Sequence, residues 1–341
     1  MNKQILVTGG TGFIGSHTVV ELQNSGYDVV IVDNLSNSKA EVLDKIKEIS
    51  GIRPRFEKFD LTDRQKVKDF FHKYSDIEAI IHFAASKAVG ESVEKPLMYY
   101  NNNLNSLMNI MEAMIEFNVS NLVFSSSCTV YGQPDILPVT EQTQRKEAES
   151  PYGNTKTICE DIIRDTIKSD PSLKGIALRY FNPIGAHETA KIGELPLGVP
   201  NNLIPFLTQT VAGIRPELSV FGDDYDTADG SAIRDYIHVV DLAKAHVTAI
   251  ERLLNNRNKE NYEYFNIGTG NGVSVLEIIK SFERATGEKV PHKIVARRAG
   301  DIEKIYADTS FANEELGWKA VSTLDETLLS AWKWQVNIGE L

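Results

Sequence analysis

The chain has 341 residues, 42% of them hydrophobic and 24% charged, a composition ordinary for a globular protein of one large domain or two. With 36 basic residues against 47 acidic ones the net charge is -11, and no basic run occurs, which argues against nucleic acid or an anionic membrane as partner. Two cysteines, Cys128 and Cys159, give neither a disulfide framework nor metal-ligand spacing, and no stretch approaches about 18 uninterrupted apolar residues, so neither a metal nor a membrane span is expected.

Met1 leads almost directly into the apolar run Ile5-Leu6-Val7, which leaves no room for a secretory signal. The expectation is a reduced, cytoplasmic protein. Short β-branched runs then predict strands at 5–8, 28–32, 79–83, 121–125 and 175–180. Helical patterns at 14–25, 63–74, 96–118 and 152–169 separate them. Alternating elements with near-continuously apolar strands predict a parallel α/β sheet covered on both faces. After about residue 181 the rhythm breaks: Pro183, Pro196, Pro200, Pro205 and Pro216 arrive with many glycines and shorter elements. The reading is a first domain over 1–180 and a smaller α/β domain over 181–341, with segments free to interlace. Ser274 with Glu277 and Thr323 with Glu326 have capping-box spacing and predict two helix starts there.

The first strand runs into Thr8-Gly9-Gly10-Thr11-Gly12-Phe13-Ile14-Gly15 and then a helix. Gly9, Gly12 and Gly15 suit a tight turn, close backbone approach to a pyrophosphate and close helix–strand packing. The helix N-terminus offers free N–H groups to the anion. The strand before and the helix after lift this loop above an ordinary turn and predict a Rossmann-type doubly wound sheet holding a dinucleotide. Asp33 follows the second strand, where a carboxylate accepts ribose hydroxyls and repels a 2′-phosphate, so NAD is favoured over NADP. Ile267-Gly268-Thr269-Gly270-Asn271-Gly272 resembles a second such loop, but its glycines are out of register and it reads as a turn.

At the end of the fifth strand stand Ser127 and Thr129, where the carboxyl ends of a doubly wound sheet form the ligand crevice. Tyr152 and Lys156 lie one turn apart after a helix-opening Pro151. A free tyrosine has a pKa of about 10, and a fixed cation nearby lowers it, which makes Tyr152 a candidate acid/base for a hydroxyl proton. Tyrosine and lysine four apart also occur by chance on many helices. Cys128 has nothing basic adjacent in sequence and reads as packing, as do His82 and His238 in their apolar runs. Asn182 and Asn202 beside prolines are open to a turn role, and Arg234 with Asp235, or Arg298 with Asp301, to surface ion pairing.

Glycine loop, serine, tyrosine and lysine together make the chain resemble the extended short-chain dehydrogenase/reductase family, in particular its UDP-hexose 4-epimerases. The likeness runs through nearly the whole chain. It includes Ile81-His82-Phe83-Ala84-Ala85-Ser86-Lys87-Ala88-Val89-Gly90-Glu91-Ser92, Tyr99-Tyr100-Asn101-Asn102-Asn103 and Arg179-Tyr180-Phe181-Asn182-Pro183-Ile184-Gly185-Ala186. Pro200-Asn201-Asn202-Leu203, Arg234-Asp235-Tyr236-Ile237-His238-Val239 and Arg297-Arg298-Ala299-Gly300-Asp301 continue it into the second half.

What the resemblance implies is an NAD-dependent isomerase of galactose metabolism, interconverting UDP-galactose and UDP-glucose through a 4-keto sugar. It implies NAD contacts from Gly9, Gly12, Phe13, Ile14, Gly15, Asp33, Asn34, Leu35, Ser36, Asn37, Ser38, Asp60, Leu61, Phe83, Ala84, Ala85, Ser86, Lys87, Asn102, Ser127, Tyr152, Lys156 and Phe181. It implies sugar-nucleotide contacts from Lys87, Ser127, Thr129, Tyr152, Asn182, Asn202, Leu203, Phe221, Arg234, Tyr236, Arg298, Asp301 and Ile305. Tyr152, Lys156 and Ser127 are the implied catalytic set. The charge logic agrees, since a diphosphate in a chain of net charge -11 needs local arginines. Ile305 stands where a tyrosine goes with plain hexoses and a small residue with N-acetylated ones; isoleucine is neither, and UDP-glucose/UDP-galactose is preferred. Dehydratases on the same scaffold carry a carboxylate after the serine, whereas Cys128-Thr129-Val130 follows Ser127. A non-catalytic NAD(H) sensor commonly loses the tyrosine or lysine, and both are present. A homodimer through the helices at 96–118 and 152–169 is also implied.

Overall fold

A computed structural model of the chain describes residues 3–297 and 302–339. In chain order its elements are β1 (Gln4–Thr8), α1 (Phe13–Asn24), β2 (Asp28–Asp33), α2 (Val42–Ser50), β3 (Arg55–Lys58), α3 (Arg64–Lys73), β4 (Ile77–His82), α4 (Val89–Glu94), α5 (Pro96–Glu116) and β5 (Asn121–Ser127). They continue with α6 (Pro151–Ser169), β6 (Lys174–Tyr180), β7 (Asn182–Ile184), α7 (Leu203–Val211), β8 (Leu218–Phe221), β9 (Ile233–His238), α8 (Val239–Leu254) and β10 (Tyr262–Ile267). The last are β11 (Gly272–Ser274), α9 (Val275–Thr286), β12 (His292–Val295), β13 (Lys304–Ile305) and α10 (Leu324–Gly339).

Seven strands form one parallel sheet in the order β10-β6-β5-β4-β1-β2-β3. Successive side chains of a strand face opposite sides, and both sides are apolar here. Ile5, Val7, Val29, Ile31 and Ile81 pack on one face with Val19 and Leu22 of α1 and Leu242 and Ile250 of α8. Leu6, Val30, Ile80, Leu122 and Phe124 pack on the other, with Phe70 of α3, Ile110 of α5 and Ile163 of α6. This two-sided burial explains the continuous apolar runs in the sequence. The strand order reverses between β1 and β4, which opens a crevice at their carboxyl ends.

Two elements of this layer escape the sequence pattern. Strand β3 lies on the sheet edge with none of its four residues buried, and α2 buries only Leu43 and Ile46. Two more come from the second half of the chain: β10 extends the sheet beside β6, and α8 packs on α1.

Of the remaining strands, β9 pairs with β7, β11 and β13, and β8 pairs with β12 in a separate two-stranded parallel sheet. Their core joins Ile204 and Leu207 of α7 to Ile278 and Phe282 of α9 and Leu328 of α10. Both capping boxes form: Ser274 and Glu277 exchange hydrogen bonds at the start of α9, as do Thr323 and Glu326 ahead of α10. Among the described residues, no helix is long and apolar enough to cross a membrane, and no cluster of three or more His, Cys, Asp or Glu side chains is arranged to hold a metal ion.

Candidate active site

The glycine loop joins β1 to α1 at the reversal of strand order. Gly9 has φ +69°, and a Cβ there would sit 2.9 Å from Ala84 N in the loop after β4. A Cβ on Gly15 would press into the Gly9 carbonyl oxygen, so the first turn of α1 lies directly against the loop. Gly12 caps the helix with no side-chain hydrogen bond, and no acidic residue stands in the first turn. The helix N-terminus is therefore unneutralised by the protein and suited to an anion. Asp33 at the end of β2 accepts from Thr11 N at 3.3 Å and Leu35 N at 2.8 Å, with Leu35 in the left-handed region at φ +60°. Ser38 Oγ meets Thr11 Oγ1 at 2.7 Å, and Asn34 donates to Asp60 at 3.0 Å. Ser36 and Asn37 are exposed at the rim, and Leu61 is buried just after Asp60. Loop, carboxylate and helix end fit a dinucleotide with a free ribose diol.

The loop after β4 closes one side. Ala84 N donates to Thr8 Oγ1, Phe83 packs its ring 4.6 Å from that of His246, and half-buried Ala85 leads on to Ser86. Ser86 is held through Asn103 Oδ1 at 2.8 Å and Asn102 at 3.2 Å, both on α5. Asn103 also donates to Thr155 Oγ1, which bonds the Tyr152 carbonyl. This chain of contacts ties the candidate cofactor wall to the first turn of α6. His82 is buried neutral, bonded to Thr8 Oγ1, its pKa lowered to about 3 by burial with Lys156 adding to the effect.

Three consecutive serines end β5, and each has a different partner. Ser125 bonds Tyr180 OH, Ser126 donates to Glu160 at 2.5 Å, and Ser127 accepts from Thr129 N at 3.2 Å. Ser150 caps α6 by accepting from Gly153 N at 3.1 Å, and Pro151 sits in its first turn, which sets Tyr152 at the helix start. The charge arrangement departs from the expectation of a lowered tyrosine pKa. Burial pushes the Tyr152 phenol up, Tyr180 and Cys128 add to this, and a hydrogen bond from Ser127 opposes it. Lys156 Nζ lies 5.9 Å from the Tyr152 ring centre and donates to the Ser125 carbonyl at 2.6 Å. Burial brings the Lys156 amine down to about 8. Without a further positive charge, Tyr152 is thus a proton donor rather than a base.

Thr129 Oγ1 is buried and has no hydrogen-bond partner among the described residues. A hydroxyl left so beside Ser127 calls for a polar ligand group. Cys128 is half-buried, its thiol pushed up to about 12 by burial against an opposing Arg234, which leaves it a packing residue and no nucleophile.

The second half supplies the opposite wall. Asn182 begins β7 and pairs with Tyr236 of β9, and Arg234 precedes Tyr236 by two, so both face the same side. Arg234 donates to the carbonyls of Ile233 and Glu303, not to Asp235, so the surface ion-pair reading does not hold. Ile305 of β13 is Arg234's register partner, 2% exposed, in one cluster with Phe181, Tyr131 and Val139. Asn202 caps α7 before Leu203 and donates to Glu194 at 2.6 Å, while Lys87 pairs with the same carboxylate at 3.5 Å. Phe221 ends β8, 40% exposed. Arg298 and Asp301 lie outside the described residues.

Sequence reading missed two carboxylates. Asp235 is fully buried and accepts from Thr269 N, Thr269 Oγ1, Gly270 N and Ala307 N, which locks the 268–270 turn and the segment after β13 onto β9. Glu160 is buried one turn past Lys156 and paired with Arg179. For Glu160 the available signal was its partner, the charged Arg179 after the apolar run of β6; Asp235, beside Arg234 in β9, offered none.

The model of the NAD dependent epimerase/dehydratase family matches residues 5–268. The UDP-glucose 4-epimerase of Bacillus subtilis is 51% identical over 331 residues, 97% of this chain and 96% of that one. The solved UDP-glucose-4-epimerase of Stenotrophomonas maltophila, with bound NAD and formylated UDP-arabinopyranose, superposes with a TM-score of 0.96 at 47% identity over 99% of both chains. That of Bifidobacterium longum, in complex with NAD+ and UDP, gives 0.93 at 47% identity over 98% of each.

Proposed function

The chain belongs to the NAD dependent epimerase/dehydratase family, and from that premise we propose that it interconverts UDP-galactose and UDP-glucose as a UDP-glucose 4-epimerase. The observation that carries the reading is the set of Ser127 at the end of β5 with Tyr152 and Lys156 at the start of α6, in a sheet whose glycine loop suits a dinucleotide. The sugar's fourth carbon bears only hydrogen, hydroxyl and ring carbons, so its hydrogen is not acidic and inversion needs a transient ketone. NAD, when bound, supplies the hydride acceptor and donor for that step, and in its oxidised form a positive charge that favours the phenolate.

The chain's own residues do the rest. Tyr152 takes the 4-hydroxyl proton and returns it, Ser127 holds that hydroxyl in line, and Lys156 keeps the site cationic. Thr129 gives the sugar a second hydroxyl partner. Arg234 and Arg298 neutralise the diphosphate, with Tyr236, Asn182, Asn202, Leu203, Phe221 and Asp301 lining the nucleotide, so the sugar alone turns over between loss of the C4 hydride and its return. Lys87 and Asn202 are released from Glu194 to reach substrate.

Purified protein supplied with UDP-galactose and UDP-N-acetylgalactosamine tests the reading. Conversion of UDP-galactose is expected, with kcat/KM about tenfold above that for the N-acetyl sugar because Ile305 fills space that a small residue would leave. Equal values would remove Ile305 from specificity, and no conversion of either sugar would overturn the activity.

A homodimer through α5 and α6 is part of the same reading. Leu97, Met108 and Ile115 are 81%, 39% and 47% exposed, and steps of eleven and seven residues bring them onto one stripe of α5. Gel filtration should return a dimer for the parent and a monomer for Met108→Asp; a monomeric parent sinks the proposal. NAD and a UDP-sugar as ligands, with both cysteines free, accord with a cytoplasmic enzyme, which cell fractionation checks.

A further inference from the structure

Glu160 lies one helical turn beyond Lys156, so both side chains leave the same face of α6. Each is tied to β5. Lys156 Nζ donates to the Ser125 carbonyl at 2.6 Å, and Ser126 Oγ donates to Glu160 Oε1 at 2.5 Å. The next residue is Ser127, whose hydroxyl points to the opposite side of the strand, towards Tyr152.

The Glu160 carboxylate is gripped from β6 by Arg179 Nε at 2.9 Å and Nη2 at 2.5 Å. Arg179 Nη1 donates to Tyr131 OH at 3.1 Å, in the turn Cys128–Tyr131 that follows Ser127. Tyr131 in turn donates to Asn266 Oδ1 at 2.7 Å. The pair is nearly inaccessible, at 5% and 2% side-chain exposure. A buried ion pair is often no more stabilising than apolar residues of the same volume, so stability alone is a weak reason for one here. Its geometry gives another. One carboxylate joins β5, the turn after it, α6 and β6, the elements that carry Ser127, Thr129, Tyr152 and Lys156 or lead into Phe181.

We propose that Glu160 is a positioning residue for proton transfer at the sugar 4-hydroxyl, fixing through Ser126 and Arg179 the register between Lys156 on α6 and Ser127 on β5. The inference rests on the proposed epimerase activity. Charged and titratable groups face Glu160 from every side: Arg145 at 3.6 Å, Arg179 of β6, Tyr131, Tyr262 and Tyr264 of β10, and Lys156 and Cys159 of its own helix. Burial lowers the Lys156 amine while Cys159 and Glu160 oppose that shift. Loss of the carboxylate removes a charge that favours the Lys156 ammonium, which would then lose its proton at lower pH.

Glu160→Gln and Ser126→Ala decide the matter, assayed beside the parent with UDP-galactose. Ser126→Ala cuts the link to β5 and leaves the ion pair whole, so it reads the proposal even where Glu160→Gln fails to fold. Glu160→Gln is expected to lose about 10- to 100-fold in kcat and Ser126→Ala about tenfold, with KM within about threefold of the parent. The alkaline limb of kcat should move about half a pH unit to lower pH in Glu160→Gln. Folded variants with lowered melting temperature but parental kcat and pH profile would make the network purely structural and overturn the inference. A parent inactive on UDP-galactose overturns the proposed function instead, and this inference with it.

Discussion

Tyr152→Phe is expected to lower kcat on UDP-galactose by about 10³-fold or more while the protein retains its NAD. The substitution removes one oxygen and keeps the ring. The surroundings that raise the phenol's pKa (burial, with Tyr180 and Cys128 beside it) are apolar enough to accept phenylalanine without repacking. Stability should change by no more than about 1 kcal/mol. The phenol is the one group of the set placed to carry the proton, because Lys156 is committed to the Ser125 carbonyl and Ser127 accepts from Thr129 N. Turnover by coupled assay and nucleotide content by chromatography separate chemistry from binding. Turnover within tenfold of the parent would mean that another group moves the proton. A simultaneous loss of NAD would mean that Tyr152 holds the cofactor and is not read by this variant alone; Tyr152→Phe reloaded with NAD then decides.

Legibility followed burial and local chemistry. Strands β1, β2, β4, β5 and β6 announce themselves because both faces of the sheet are covered and their central positions are mostly apolar. Strand β3 does not, since an edge strand with solvent on its flank has no burial pattern to display. Strand β10, with Tyr262, Tyr264 and Phe265, looks like a strand of the second half; only tertiary pairing with β6 places it in the first sheet. The glycine loop, Asp33 and the Tyr152–Lys156 spacing were readable because their chemistry depends on residues adjacent in sequence or one turn apart. The tuning of Tyr152 was not. Its pKa answers first to burial and then to Tyr180 and Cys128, which come from other elements, and the lysine one turn away spends its donor on the strand. Asp235 shows the same limit: its four donors come from residues 269, 270 and 307. No spacing within β9 encodes that.

Gly15→Ala is expected to yield protein without NAD and without turnover, less stable by about 1–3 kcal/mol. The new methyl would meet the Gly9 carbonyl oxygen and, at 2.9 Å, Gly10 Cα. These are backbone atoms, so no side-chain rotation relieves the clash. Nor can the loop simply slide away. Gly9 N is bonded to Val32 O at 2.8 Å, Gly12 N to Gly9 O at 3.1 Å, and a Cβ at Gly9 would already be tight against Ala84. The only relief is to part the loop from the first turn of α1, which spreads the N–H groups that a pyrophosphate would bridge. Gly90→Ala is the control: its Cβ meets nothing within 4 Å on the exposed helix α4, and NAD content should stay at the parental level. Close packing of α1 on the loop requires glycine at Gly15 whatever the loop binds, so NAD content of the folded variant, and not its stability, is the readout. Full NAD occupancy in Gly15→Ala would move the cofactor away from this loop, whereas loss of NAD from a folded Gly15→Ala with Gly90→Ala unaffected ties the helix end to the dinucleotide.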